Sequence, residues 1–108
     1  MRRPLSQFAT FVTALACLPA LQSADGPVWR EAVAAMQRGD FHAAELKLRA
    51  EVAAHPTDAA ALSLLGVALD SQNQLREAAE FHRRAVAAAP RTAGVLSNYG
   101  LHLSATGE

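Results

Sequence analysis

The segment Leu62–Leu69 reads LSLLGVAL and the segment Leu96–Leu103 reads LSNYGLHL, one sparse frame L-S-x-x-G-x-x-L written twice, 34 residues apart. Such a repeat constrains a chain more than its composition does. Each copy must fold alike, and each must bury its apolar face against a neighbour. The register extends beyond the two segments. At the same interval Pro56 falls on Pro90, Leu62 on Leu96, Ser63 on Ser97, Gly66 on Gly100, Leu69 on Leu103 and Ala44 on Ala78. Gly39, Asn73 and Gly107 form a further series.

Within a period the pattern is helical. Leu62, Leu65, Leu69 and Leu96, Tyr99, Leu103 step at i, i+3, i+7, which lines one face of a helix. Asp58 and Thr92 precede these runs, where a side-chain oxygen can cap free backbone N–H groups. Gly39, Asn73 and Gly107 stand where helices must stop, and these residue types tolerate a left-handed backbone. A second helix carries Leu75, Ala78, Ala79, Ala85 and Val86, with Pro90 after its end as Pro56 follows the preceding one. The spacing therefore predicts five helices, near residues 27–38, 41–54, 59–71, 75–88 and 93–105, and no strand. Alanine, the dominant residue, is the strongest helix former and favours close packing. A glycine inside a helix costs about 1 kcal/mol relative to alanine. Gly66 and Gly100 are therefore expected at close helix crossings, with Ala78 and Ala85 small on the opposing helix.

These residues resemble the tetratricopeptide repeat family, whose pattern W-x2-L-G-x2-Y…A-x3-F…P is met by Leu62, Leu65, Gly66, Leu69, Ala78, His82 and Pro90. His82 stands where the pattern has an aromatic residue. Residues 25–58 read as a divergent first unit in which Val28, Ala32, Ala44, Leu48 and Pro56 fit and Glu31 replaces the usual leucine. Residues 59–92 form the second unit, and residues 93–108 form the first helix of a third. The resemblance implies an all-α, right-handed solenoid of helical hairpins, about two and a half repeats long. Leu96, Tyr99, Leu101 and Leu103 put apolar residues on more than one side of the last helix. The chain accordingly reads as the N-terminal piece of a longer protein or of a truncated gene model.

The first two dozen residues follow another logic. Arg2 and Arg3 precede an uncharged stretch from Phe8 to Leu21, then Gln22, Ser23, Ala24 and Asp25. A basic start, a short apolar run and small residues before a polar one read as a signal peptide over residues 1–24. The run falls short of the roughly 20 residues of a membrane span. Export to the periplasm or medium is thus expected. The alternative is membrane anchoring through a retained N-terminus or a lipid on Cys17, whose preceding Ala14-Leu15-Ala16 loosely resembles a lipoprotein processing box. Cleavage after Ala24 would remove Arg2, Arg3 and the single cysteine, leaving eight basic residues against ten acidic and no disulfide framework.

Chemistry is scarce. The chain has equal numbers of basic and acidic residues, so no global field draws in nucleic acid. His42, His55, His82 and His102 form no i, i+4 pair, which argues against a metal site on local ligand spacing. Ser63, Ser97 and Ser104 lack a G-x-S-x-G context, and no G-x-x-x-x-G-K-[ST] loop exists. Arg76, Arg83 and Arg84 are interleaved with Glu77 and Glu80, as on a solvated helix face. No cofactor is implied, and no catalysis. By the family's register, the first helix of each unit lines a concave groove for a peptide or protein. Trp29, Val33 and Met36 would face it from the first unit, Ser63, Val67 and Asp70 from the second, and Ser97, Leu101 and Ser104 from the third. Trp29 could equally pack at the start of the array.

The expectation is an interaction module. Its rival is an N-terminal docking segment of a larger enzyme whose catalytic domain lies beyond Glu108. One consequence is direct: intact-mass analysis of exported protein should find residues 1 to about 24 absent. A retained Met1 or a lipidated Cys17 would replace the secretory reading with the anchored one.

Overall fold

The computed structural model describes residues 26–107, with helices α1 (Pro27–Gln37), α2 (Phe41–Ala54), α3 (Ala59–Ser71), α4 (Leu75–Ala88) and α5 (Ala93–Thr106). Among the described residues there is no strand, so the fold is all-α. The signal-peptide reading of residues 1–24, Cys17 included, lies outside the described residues. None of the described helices is long and apolar enough to cross a membrane.

The helix junctions follow the turn residues. Gly39, Asn73 and Gly107 have φ of 81°, 64° and 81°, the left-handed region in which the chain leaves a helix. Asp40 and Asp58 accept from the backbone N–H of Ala43 and Ala61 at 3.1 and 3.2 Å, closing the first turns of α2 and α3. Pro27 opens α1, where its missing N–H costs no helical hydrogen bond. Thr92 holds the N-cap position of α5 with an extended backbone, but its side chain makes no capping hydrogen bond, contrary to the expectation from sequence.

Each helix packs on its neighbours in sequence, and α3 also meets α5. Leu48, Leu62, Leu65 and Leu69 are fully buried, and Ala44, Ala61, Ala68, Ala78 and Ala85 are fully buried between them. Alanine at these positions lets helix backbones approach closely, so the core is thin and held by short contacts. Gly66 makes the closest of them. A Cβ there would lie 2.7 Å from two atoms of the His82 ring and 2.9 Å from a third. The crossing expected at Gly66 exists, but the side chain lodged in it is the imidazole of His82 rather than Ala78 or Ala85.

The third unit departs from the expected packing set. Val95 and His102 are its buried residues, while Leu96 is 44% exposed and Gly100 has nothing within 4 Å of a Cβ position. Tyr99 and Leu103 are half-buried. Sliding α5 back one period explains this. Val95 and His102 correspond to Ala61 and Ala68, whereas Leu96, Gly100 and Leu103 correspond to Leu62, Gly66 and Leu69. The first set is the face α5 turns to the other described helices; His82, against Gly66, shows that the second set's equivalents in α3 meet α4.

Side chains stitch the seams. Arg49 of α2 donates to Glu45 at 2.7 Å and across to Glu77 of α4 at 2.8 Å. Gln72 donates to Glu45 Oε1 at 2.9 Å and to the carbonyl of Ala68 at 3.0 Å, fastening the end of α3 to α2. Burial pushes the Glu45 carboxyl up, but the hydrogen bonds from Arg49 and Gln72 and the Arg49 charge outweigh it, leaving it below its ordinary value. Glu51 is the opposite case. Burial raises it, the nearby His55 pulls against that, and Asp58 raises it further. Glu51 Oε2 and Asp58 Oδ2 are both buried without a donor. A proton on Glu51 supplies one.

Two measurements follow. A group bound more tightly to its proton in the fold stabilises below its unfolded value and loses that contribution as pH rises through the folded value. Glu51→Gln carries a permanent donor, so it should be more stable than wild type near neutrality, by about 0.5–1.5 kcal/mol. The difference should shrink as pH falls through the raised folded value and vanish below 4.5, the ordinary value of the group; urea denaturation at several pH values reads this. Among the glycines, Gly66→Ala should cost about 1–3 kcal/mol by displacing a locked ring. Gly100→Ala should instead stabilise by up to about 1 kcal/mol, since only helix propensity changes there. Equal thermal shifts in the two variants would contradict the assigned packing.

Candidate functional site

The face shared by α3 and α5 carries two hollows. Trp29, Ala60, Ser63, Leu64, Thr92, Gly94, Val95 and Asn98 line the first, of about 240 Å³. Val67, Asp70, Ser71, Asn98, Leu101, His102 and Ala105 line the second, of about 250 Å³. Asn98 belongs to both and donates to Ser63 Oγ at 2.8 Å, a bond from α5 to α3 that forms the sill between them.

The structure thus sorts the residues assigned to a groove from sequence. Trp29 and Ser63 meet in the first hollow, and Val67, Asp70 and Leu101 in the second. Val33 and Met36 line neither, and Met36 packs against the core. Ser97 and Ser104 are exposed and line neither. Ser63 is only 2% exposed, so it presents little to an incoming ligand; its hydroxyl is used internally. Leu101, 66% exposed, is the most open apolar side chain on this face.

Asp70 does more than line a wall. One carboxylate oxygen lies 2.9 Å from His82 Nε2 and the other 2.7 Å from His102 Nδ1. A carboxylate only accepts, so each facing imidazole nitrogen carries the proton and donates. The rings lie 4.9 Å apart between centroids, and Tyr99 stacks beside both, at 6.0 Å from His82 and 6.3 Å from His102. His82 and His102 are 1% and 3% exposed. Burial pushes the His82 imidazole below its ordinary value, against the pull of the Asp70 carboxylate. Its other nitrogen, Nδ1, is buried with no partner.

This cluster escaped the sequence reading because its members come from three helices. Asp70 is twelve residues before His82 and thirty-two before His102, so no local ligand spacing reveals them. The usable signal was a departure from the repeat pattern in the second unit: a histidine at position 82 in place of an aromatic residue. The basic residues of α4 behave partly as expected. Arg83 pairs with Glu80 at 3.1 Å, but Glu77 turns to Arg49, and Arg84 lies over the ring of Phe81 at 5.1 Å.

Comparison with protein-family models, with curated proteins and with solved structures finds no match for this chain.

The geometry makes Asp70 the acceptor for two buried donors. Asp70→Ala should therefore strand both rings and cost about 1–3 kcal/mol for each unsatisfied donor. Asp70→Asn, whose oxygen can still serve one ring, should cost less. Denaturant midpoints of the two variants, measured together, test the order.

Proposed function

We propose that this chain is an exported protein-interaction module of the tetratricopeptide type, with no catalysis of its own, that holds a peptide or protein segment on the α3–α5 face. One observation carries the reading: two partly apolar hollows adjoin along a single face, with an aromatic anchor, Trp29, at one and an exposed Leu101 at the other. A chain segment lying across the Asn98 sill would reach both. Rigid helices hold these side chains before a partner arrives, which lowers the ordering cost of binding. Interfaces of this kind draw most of their energy from a few buried anchors, with aromatics favoured.

The 34-residue register and the turn residues at Gly39, Asn73 and Gly107 support the solenoid reading, and the basic, then apolar, start of the chain supports export. The balanced charge favours protein over nucleic acid as the partner. A membrane enters only if the N-terminal segment is retained or Cys17 is lipidated.

Trp29 is the one tryptophan of the chain, so its emission reports directly on the first hollow. In pull-downs from envelope extract, Trp29→Ala with Val67→Asp should lose the partners that wild type retains while keeping its helical circular dichroism. Wild-type Trp29 emission should shift when the purified partner is added. Equal recovery by a folded double variant, with unchanged Trp29 emission, would sink the groove reading.

A further inference from the structure

We propose that Asp70, His82 and His102 form a binding site for one late first-row divalent metal ion, with zinc as the reference ion, open on one side to the hollow beneath Leu101. Among the described residues these three make one group whose potential ligand atoms, a carboxylate oxygen, Nε2 and Nδ1, all lie within 4.8 Å of one another. Zinc binds imidazole nitrogen and carboxylate oxygen at about 2.0–2.2 Å, which in a tetrahedral site puts ligand atoms about 3.4 Å apart. One Asp70 oxygen already stands 2.9 Å from His82 Nε2 and the other 2.7 Å from His102 Nδ1, and the widest separation in the group, up to 4.8 Å, closes by about an ångström through side-chain rotation rather than refolding. Two imidazoles and one carboxylate suit zinc and its late first-row neighbours, not calcium or magnesium.

The exchange of protons is balanced. Each ring now donates a hydrogen bond to Asp70 through its facing N–H; on binding, that proton is carried on the ring's other nitrogen and the facing lone pair goes to the metal. For His82 this is the buried, unpartnered Nδ1. That atom is an unsatisfied acceptor before the change and an unsatisfied donor after it, so the shift replaces one orphan with another. Three protein ligands leave a fourth position for water, as in zinc sites that exchange a ligand. Asp70 and His102 line the second hollow, so that position faces it.

The placement itself is telling. The neighbouring levels of the α3 seams are built from Ala61, Leu65 and Ala68, all fully buried. Apolar side chains would serve the seam at least as well, since buried ionic groups seldom add net stability. Gly66 leaves space for the His82 ring and Tyr99 stacks on it, so the imidazole is held in position by groups that do not themselves ligate. The site stands independently of the groove reading.

The test uses the untagged full chain. Titration of the wild type with Zn²⁺, followed by calorimetry, should saturate at one equivalent with a dissociation constant on the order of micromolar or tighter. Co²⁺ in place of zinc should give visible d–d bands of a nitrogen–oxygen site. His102→Gln and Asp70→Asn should each weaken binding by at least about tenfold, since loss of groups one shell further out already costs about 10–100-fold. His42→Ala with His55→Ala should change nothing. The wild-type cobalt spectrum decides without any variant: absence of a saturable one-equivalent complex overturns the site. So does a sulfur-to-cobalt charge-transfer band, which would point to Cys17 or a methionine. Binding that survives in folded His102→Gln and Asp70→Asn, or is lost in the His42/His55 variant, overturns it equally.

Discussion

The position of α5 depends on a contact three helices' worth of side chains away. Gly66 has no Cβ, and the His82 imidazole occupies the space one would fill. With the ring lodged there, Nε2 reaches Asp70, one turn further along α3 in the direction of Gln72. Asp70 then has its second oxygen free for His102, and that bond, with Asn98 to Ser63 and the burial of Val95, fixes α5 against α3. Both hollows lie between those helices. A methyl group at residue 66 would therefore act on a surface it does not touch, through a chain of three hydrogen-bonding side chains.

The fold was largely legible because its signals are local. Helix ends depend on a residue that accepts positive φ, and Gly39, Asn73 and Gly107 announce themselves by type and by interval. Helix faces depend on a period of 3.6, which Leu62, Leu65 and Leu69 display. Contacts between units are another matter. The sequence says that α5 is apolar on several sides, but not which side meets the array. Leu96 and Leu101 are the conspicuous residues there, and both are exposed; Val95, Asn98 and His102 make the seam. Polar side chains at a seam look like surface residues until the partner helix is known, which is why Asn98 and His102 went unread.

The repeat also shows that burial belongs to the neighbour rather than to the residue. Leu62 is 1% exposed and Leu96, its equivalent one period on, is 44% exposed. Both are leucines on an i, i+3, i+7 face of a helix in the same frame. The difference is α4, which covers the first face; among the described residues no helix covers the second. Where helices pack face to face, apolar character marks where a contact can form and geometry decides whether it does.

Electrostatics follow the same division between seam and surface. Arg83 and Glu80 are both more than half exposed, and a pair of that kind contributes little in water. Arg49 is held by two carboxylates on different helices while its guanidinium lies 5.8 Å above the Phe81 ring, so one cation ties α2 to α4 by charge and by stacking. Asp70 does the converse, one anion holding two rings from different helices. The two tie points act at different seams: Arg49 fastens α2 to α4, and Asp70 fastens α3 to α4 and α5.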